Sequence, residues 1–395
     1  MEHNGTPQPS LPVLDLTSVS NPNKKPILLE QLRSALFDIG FLYIKNHGIP
    51  QQTIGNLTNL LPALFDLPEE ERAAMSKLNS PHFLGYSGFA EETTLGKQDL
   101  REQFDMATEL PVVLQDPSTS TNGDVTQAYH SRDFTKLYWR LRGPNQWPSE
   151  SSLPGFRKAF TDYHDAVQEL SYRFVHLIEE AFSIPIGTFD HFFGLQPSTP
   201  TTNDATRTKS RTFLPPQHRL KLLKYPPAPP DTAASGNQGV GAHKDSSGWL
   251  TFLYQPSPEP GLEVLSSTST WIPATPIAGT FVVNFGNAFE AATAGAVKAT
   301  THRVVAPGPA SPTRYSIPFF QGLPLDMTVS EVQSYIPEHV RQMRGSVTGV
   351  ESEAQTFLDP RWDELGESQL RKWIRSHRDV GVKWYGEEVV EYYTS

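Results

Sequence analysis

The chain has 395 residues, with 33 basic and 43 acidic side chains, a formal net charge of -10, and no cysteine. No dense basic run tracks a phosphate backbone, so nucleic acid is not an expected partner. Without thiols there are no disulfides, thiolate nucleophiles or cysteine-ligated metals. No apolar run reaches the ~18 residues that cross a bilayer, and residues 1–7 lack the charged-then-apolar layout of a secretory leader; the expected setting is reducing and cytoplasmic.

Residues 1–10 read as a flexible N-terminus. A short strand is expected at 11–16, and Leu28, Leu32, Leu36 and Ile39 then recur at helical spacing. Phe41-Leu42-Tyr43-Ile44 predicts a strand that ends in the turn sequence Asn46-His47-Gly48-Ile49-Pro50. His47 in that turn is read as structural. A second helix is expected over 53–65, and Pro68 followed by Glu69, Glu70 and Glu71 marks another helix start. Polar stretches at 118–127 and 199–209 read as loops. Between them, Phe156, Phe160, Tyr163, Val167, Leu170, Phe174, Leu177 and Phe182 keep a helical period and predict a long helix packed against a sheet.

Beyond residue 210 the period changes. Short apolar runs at 220–225, 249–254, 262–265, 271–274, 281–285, 302–305 and 315–320 are bounded by Gly, Pro, Ser or Asn. With the segment carrying His243 they make about eight strands, the number in a jelly roll of two facing sheets. Proline, at 35 residues, lies well above its usual ~5% share and punctuates the loops around 226–230 and 256–260. Helical patterns return after Pro324, notably over 362–380. The expected fold is mainly β with flanking helices: a double-stranded β-helix (jelly-roll, cupin-like) core with N- and C-terminal helical additions. Its expected divisions are a supporting helical and strand region at 11–210, the catalytic jelly roll at 211–325 and a C-terminal helical extension at 326–395.

His243, Asp245 and His302 carry the chemistry. Alternate residues of a strand share a face, which lets His243 and Asp245 converge while Lys244 points away, and His302 joins from a second strand. Two imidazoles and one carboxylate are the ligand set that holds iron(II) on one face and leaves the other open for oxygen chemistry. Arg314 and Ser316, again two apart, supply a fork that fits a carboxylate, with Tyr315 turned opposite. Gly239-Val240-Gly241 is too short for a dinucleotide loop and is expected to let backbone pass near the metal. Together these residues point to an iron oxygenase that consumes a keto acid and acts on a small molecule, with no obligate protein partner.

The same segments carry a family likeness. Phe41 to Pro50, the hexapeptide at 143–148, Tyr225-Pro226-Pro227, Pro260-Gly261-Leu262, Asn284-Phe285-Gly286, His302-Arg303-Val304 and Arg314-Tyr315-Ser316 fall in family order over about 11–325. The chain resembles the iron(II)- and 2-oxoglutarate-dependent oxygenases related to isopenicillin N synthase, a group rich in plant and fungal biosynthetic enzymes. That resemblance implies Fe(II) bound by His243, Asp245 and His302. It also implies 2-oxoglutarate, gripped by Arg314, Ser316 and Tyr225, and O2 as co-substrates, with succinate and CO2 released as a C–H bond is hydroxylated, desaturated or closed into a ring. Two positions depart from the pattern: Leu223 stands where an asparagine is common, and Lys244 where a small residue is. An oxidase like isopenicillin N synthase, needing no 2-oxoglutarate, is the alternative. Phe104, Phe213, Tyr254, Phe319 and Tyr392 are the expected substrate-wall residues.

Overall fold

The computed structural model describes residues 10–94, 96–114, 132–195, 213–229, 237–245, 248–342 and 362–395. Residues 1–9 and the two expected loops at 118–127 and 199–209 lie outside the described residues. In chain order the strands are β1 (Val13–Asp15), β2 (Phe41–Lys45), β3 (Gly85–Ser87), β4 (Thr93–Thr94), β5 (Lys97–Gln98), β6 (Glu102–Ala107) and β7 (Arg219–Tyr225). They continue as β8 (Gln238–His243), β9 (Leu250–Tyr254), β10 (Leu262–Leu265), β11 (Trp271–Pro273), β12 (Thr280–Phe285), β13 (His302–Val305) and β14 (Arg314–Gln321).

From β7 onward the chain winds between two sheets. The larger is ordered β1-β2-β12-β9-β14-β7-β6-β3, and the smaller β11-β10-β13-β8. The last eight strands divide equally, four to each sheet, and pair antiparallel. This is the jelly roll expected from the strand count.

Side-chain parity organises the layers. On β14, Ile317 and Phe319 face one side while Arg314, Ser316, Pro318 and Phe320 face the other. On β9, Leu250, Phe252 and Tyr254 join Ile317 and Phe319, whereas Thr251 and Leu253 turn inward. The outer face packs on the helix Phe156–Ala181, whose buried stripe includes Phe160, Val167, Phe174 and Ile178. Between the sheets a second apolar cluster holds Phe41, Tyr43, Val240, Leu262, Val264 and Val304. A third lies under the C-terminal helices, where Phe83, Trp139, Trp362, Leu370 and Ile374 meet.

Two expectations needed correction, and one strand had no counterpart among them. The helix at 53–65 is two, Gln51–Thr58 and Leu61–Phe65. Pro62 sits in the first turn of the second, where its missing N–H costs nothing, but it would clash inside one continuous helix. The 362–380 pattern divides into Leu365–Ser376 and Arg378–Tyr385 at His377, whose backbone leaves the helical region and whose ring is buried beside Lys77 and Glu92. Strand β6 was not expected, because its sequence Glu-Gln-Phe-Asp-Met-Ala is half polar yet wholly buried. Its acids are paired instead: Asp105 with Lys77 and Lys221, and Glu102 with Arg72 and Lys224. Strands from both sides of residue 210 therefore hydrogen-bond in one sheet.

Phe174 meets Phe252 of β9 edge to face, with ring centroids 5.6 Å apart. Phe174→Ala should destabilise the protein by about 3–5 kcal/mol, the usual cost of emptying a buried aromatic site. Urea denaturation of both proteins checks this, and a loss below ~1 kcal/mol, far under that range, would mean that the long helix does not pack on the sheet as described.

Candidate active site

His243 ends β8 and His302 begins β13, and the two are direct cross-strand partners. The Nδ1 of His243 lies 2.8 Å from the carbonyl of Gly241, and the Nδ1 of His302 lies 3.0 Å from that of Thr300. A carbonyl can only accept, so each Nδ1 carries the proton and each Nε2 presents its lone pair. Asp245 lies one residue beyond Lys244, in the loop past the end of β8 rather than within a strand. Its Oδ1 is 3.8 Å from Nε2 of His243 and 3.6 Å from Nε2 of His302. One ligand atom from each of the three lies within 4.8 Å of the others.

The other carboxylate oxygen is held from the opposite sheet. Thr251 and Asn284 face each other across β9 and β12, and both donate to Oδ2 of Asp245 at 2.7 Å. With Oδ2 satisfied, Oδ1 is left for a cation. Burial, with His302 beside it, pushes His243 down to about 3 and keeps its imidazole neutral. Burial alone would raise the Asp245 carboxyl, but His302, His243, Thr251 and Asn284 hold it below its ordinary value. Two imidazoles and one carboxylate, all aimed at one point, fit a divalent iron site with an open face. Lys244 turns its amine 3.3 Å from Glu290 and stays out of the ligand set.

Deeper in the same cavity, Arg314 and Tyr225 are direct partners across β14 and β7, as are Ser316 and Leu223. Arg314 is almost wholly buried, with its guanidinium carbon 4.9 Å from the Tyr225 ring centroid. Nη2 donates to Gln255 at 3.0 Å, while Nε and Nη1 have no hydrogen-bond acceptor among the described residues. Buried guanidinium donors without an acceptor are rare, and here they fit an anionic ligand such as a carboxylate. Gly261 permits the arrangement, since a Cβ there would lie 3.2 Å from Cδ and Nε of Arg314. Leu223 forms wall opposite Ser316 and offers no hydrogen bond.

The cavity has a volume of about 650 Å³ and contains all six residues expected at the metal and carboxylate positions. The expected substrate wall is elsewhere. Phe104, Phe213, Tyr254 and Phe319 are buried in the core cluster around the long helix and none lines the cavity. Tyr392 is exposed on the C-terminal helices, against Trp362. Parity is the physical reason: with Arg314 and Ser316 inward, Pro318 and Phe320 are inward too and Phe319 is not. Gly241 makes room for the Thr94 side chain rather than for the metal. Sequence reading missed Thr251 and Asn284, although an asparagine at the inward parity of the apolar β12 was a usable signal. It also missed Arg101, which pairs with Glu92 at 2.9 Å, and Asp99, which accepts from the Gly241 amide at 3.2 Å.

Thr251→Val keeps the shape and removes one of the two donors to Oδ2. Iron(II) affinity should fall about 10–100-fold, as for other partners of metal ligands, with the circular-dichroism melt nearly unchanged. Anaerobic calorimetric titration with iron(II) reads the change. Unaltered affinity would show that the hydrogen bond does not orient Asp245 toward metal.

Comparisons with known proteins agree with this geometry. The model of the 2OG-Fe(II) oxygenase superfamily matches residues 216–322, and one described as the N-terminal region of non-haem dioxygenase in morphine synthesis matches 11–150. A 2-oxoglutarate-dependent dioxygenase of Dothideomycetidae sp., frbJ, is 39% identical over 95% of this chain and 92% of its own. A 2-oxoglutarate-dependent dioxygenase of Gibberella zeae is 31% identical over 95% and 91%. Among solved structures, a full-length Neurospora crassa protein in complex with alpha-KG superposes with a TM-score of 0.63, at 22% identity over 90% of this chain and 98% of its own, a likeness of fold. Both relatives carry the keto acid in their names, which favours the keto-acid reading over the oxidase alternative. The chain belongs to the superfamily of iron(II)- and 2-oxoglutarate-dependent oxygenases.

Proposed function

We propose that Nε2 of His243, Oδ1 of Asp245 and Nε2 of His302 hold the iron, and that Arg314, Ser316 and Tyr225 hold the distal carboxylate of 2-oxoglutarate. The observation that carries this reading is the placing of the three ligand atoms and of Arg314, with two buried donors left over, in one cavity. Bound iron supplies the activation of O2 by the keto acid. In the hydroxylating outcome the substrate C–H, O2 and 2-oxoglutarate become C–OH, succinate and CO2, so atoms and electrons balance; desaturation or ring closure are the other outcomes of the same oxidation.

The protein's own task is binding and exclusion of water. The imidazole protons stay on Nδ1, bonded to backbone, so neither ring rotates off the metal. The buried guanidinium gives the keto acid one orientation, and Leu223 keeps the opposite wall dry. A cavity of about 650 Å³ suits a small metabolite beside the co-substrate. No helix among the described residues is long and apolar enough to cross a membrane.

Succinate release by the purified protein should require both iron(II) and 2-oxoglutarate. Arg314→Leu should leave iron affinity within about threefold yet raise the half-saturating 2-oxoglutarate concentration by about a hundredfold or more. Leaving a buried carboxylate unpaired costs on the order of 3–5 kcal/mol, and ~1.4 kcal/mol is tenfold. An unchanged half-saturation would place Arg314 outside the co-substrate site.

Asp245→Ala should abolish turnover while the fold persists, because the site loses its only anionic ligand. A succinate assay and a thermal melt on the same preparation check it. Near-normal turnover would remove Asp245 from the ligand set and overturn the reading.

A further inference from the structure

The roof of the cavity is a helix face of the wrong polarity for a plain lid. Ser368, Arg371, Lys372, Arg375 and Ser376 all line the cavity. They belong to the helix Leu365–Ser376, and their spacing puts them along one face. Leu370 and Ile374, on the other face, are buried in the apolar cluster beneath. A solvated helix would turn its charged face outward, whereas this one turns it over the metal ligands.

The acids nearby are already engaged. Glu92 pairs with Lys77 at 2.6 Å and with Arg101 at 2.9 Å, and Asp105 with Lys77 at 2.6 Å and with Lys221 at 3.2 Å. Asp99 accepts from Thr94, Gln238 and the Gly241 amide. Among the described residues no carboxylate lies within ion-pairing distance of the Lys372 amine. Asp105 and Asp245 act on it only from beyond that distance, while Lys372, Lys221 and Arg219 all lie over the Trp373 ring, at 5.4, 5.7 and 4.9 Å from its centroid. Burial, with Lys221 beside it, pushes the amine down to about 8. A half-buried ammonium with cations beside it and no carboxylate in contact gains from an anion that joins it.

We propose that this helix face is a substrate-anion subsite centred on Lys372 and flanked by Arg375 and Ser368, and that the molecule oxidised at the metal carries a carboxylate or phosphate. The proposal rests on the oxygenase reading of the inner site. Arg314 takes the anion of the co-substrate, and Lys372 takes that of the substrate. The walls between them, Phe41, Val240, Leu253, Leu262, Val304 and Phe320, are apolar and suit a hydrocarbon body, so the reacting C–H lies between the metal and an anionic end.

The test uses the whole protein with zinc(II), which does not turn over, and saturating 2-oxoglutarate to fill the inner cradle. Octanoate, octyl phosphate and the neutral octanamide are titrated by calorimetry. At least one of the two anions should bind tenfold or more tightly than the amide. Whichever does so identifies the group as carboxylate or phosphate. Lys372→Met should shrink that advantage to under twofold with an unchanged thermal melt, and Lys372→Arg should restore it. Equal binding of all three probes, or an advantage that survives in Lys372→Met, overturns the proposal and leaves the face merely solvated. If Arg314→Leu removes the advantage and Lys372→Met does not, the anion sits in the co-substrate cradle and the roof site is again refuted. Failure of the underlying reading shows separately, as wild-type protein that binds no 2-oxoglutarate in the presence of zinc before any probe is added.

Discussion

One carboxylate bridges the two sheets, and the site depends on it. Oδ1 of Asp245 faces two imidazoles fixed by the smaller sheet, while Oδ2 is gripped by Thr251 and Asn284 of the larger. The grip needs β9 and β12 in register, so that both donors point inward at the same height. A slip of one residue would turn Asn284 outward and bring Val283 into the cavity. What prevents the slip is the opposite face of the same strands, where Phe252, Phe281 and Val283 are buried with Phe174 and Val167 of the long helix. Packing on one side of a sheet thus fixes chemistry on the other.

Much of this was legible in the residues. The strands between 219 and 321 announce themselves because short apolar runs broken by Gly and Pro have few other readings. The candidate triad was legible as two histidines and a carboxylate in order, and His302 faces His243 in the register found, although Asp245 lies past the strand end, where the expected parity does not apply. The substrate wall was not legible from aromatic identity. Phe104, Tyr254 and Phe319 look like pocket residues, yet their parity sends them to the helix side. Strand β6 escaped for the opposite reason: its polar residues look solvated, and only long-range partners such as Lys77 and Lys221 make their burial tolerable. Such partners are far apart in sequence and leave no local pattern.

Charge tells the same story at a larger scale. The chain carries a net charge of -10, which makes it repel anions at a distance, yet its cavity gathers Arg101, Lys221, Arg314, Lys372 and Arg375. A concave site with low-dielectric walls focuses the field of the charges that line it. The interior can therefore attract what the exterior does not. Lys77 anchors this arrangement by joining Glu92 and Asp105 to His377 at the end of the roof helix.

That anchoring has a consequence for how the molecule is made. His243, Asp245, His302 and Arg314 are all translated before residue 317, whereas the roof begins at Leu365 and is tied down by Trp384 and Tyr385, which donate to the carbonyls of Leu78 and Pro81. Folding on the ribosome proceeds from the N-terminus, so the barrel can emerge with the face that carries His243 and His302 still unroofed. The helices from Leu365 onward would then close it. A ribosome that stalled or stopped early in that stretch would release a chain with His243, Asp245 and His302 in its sequence and no roof above them.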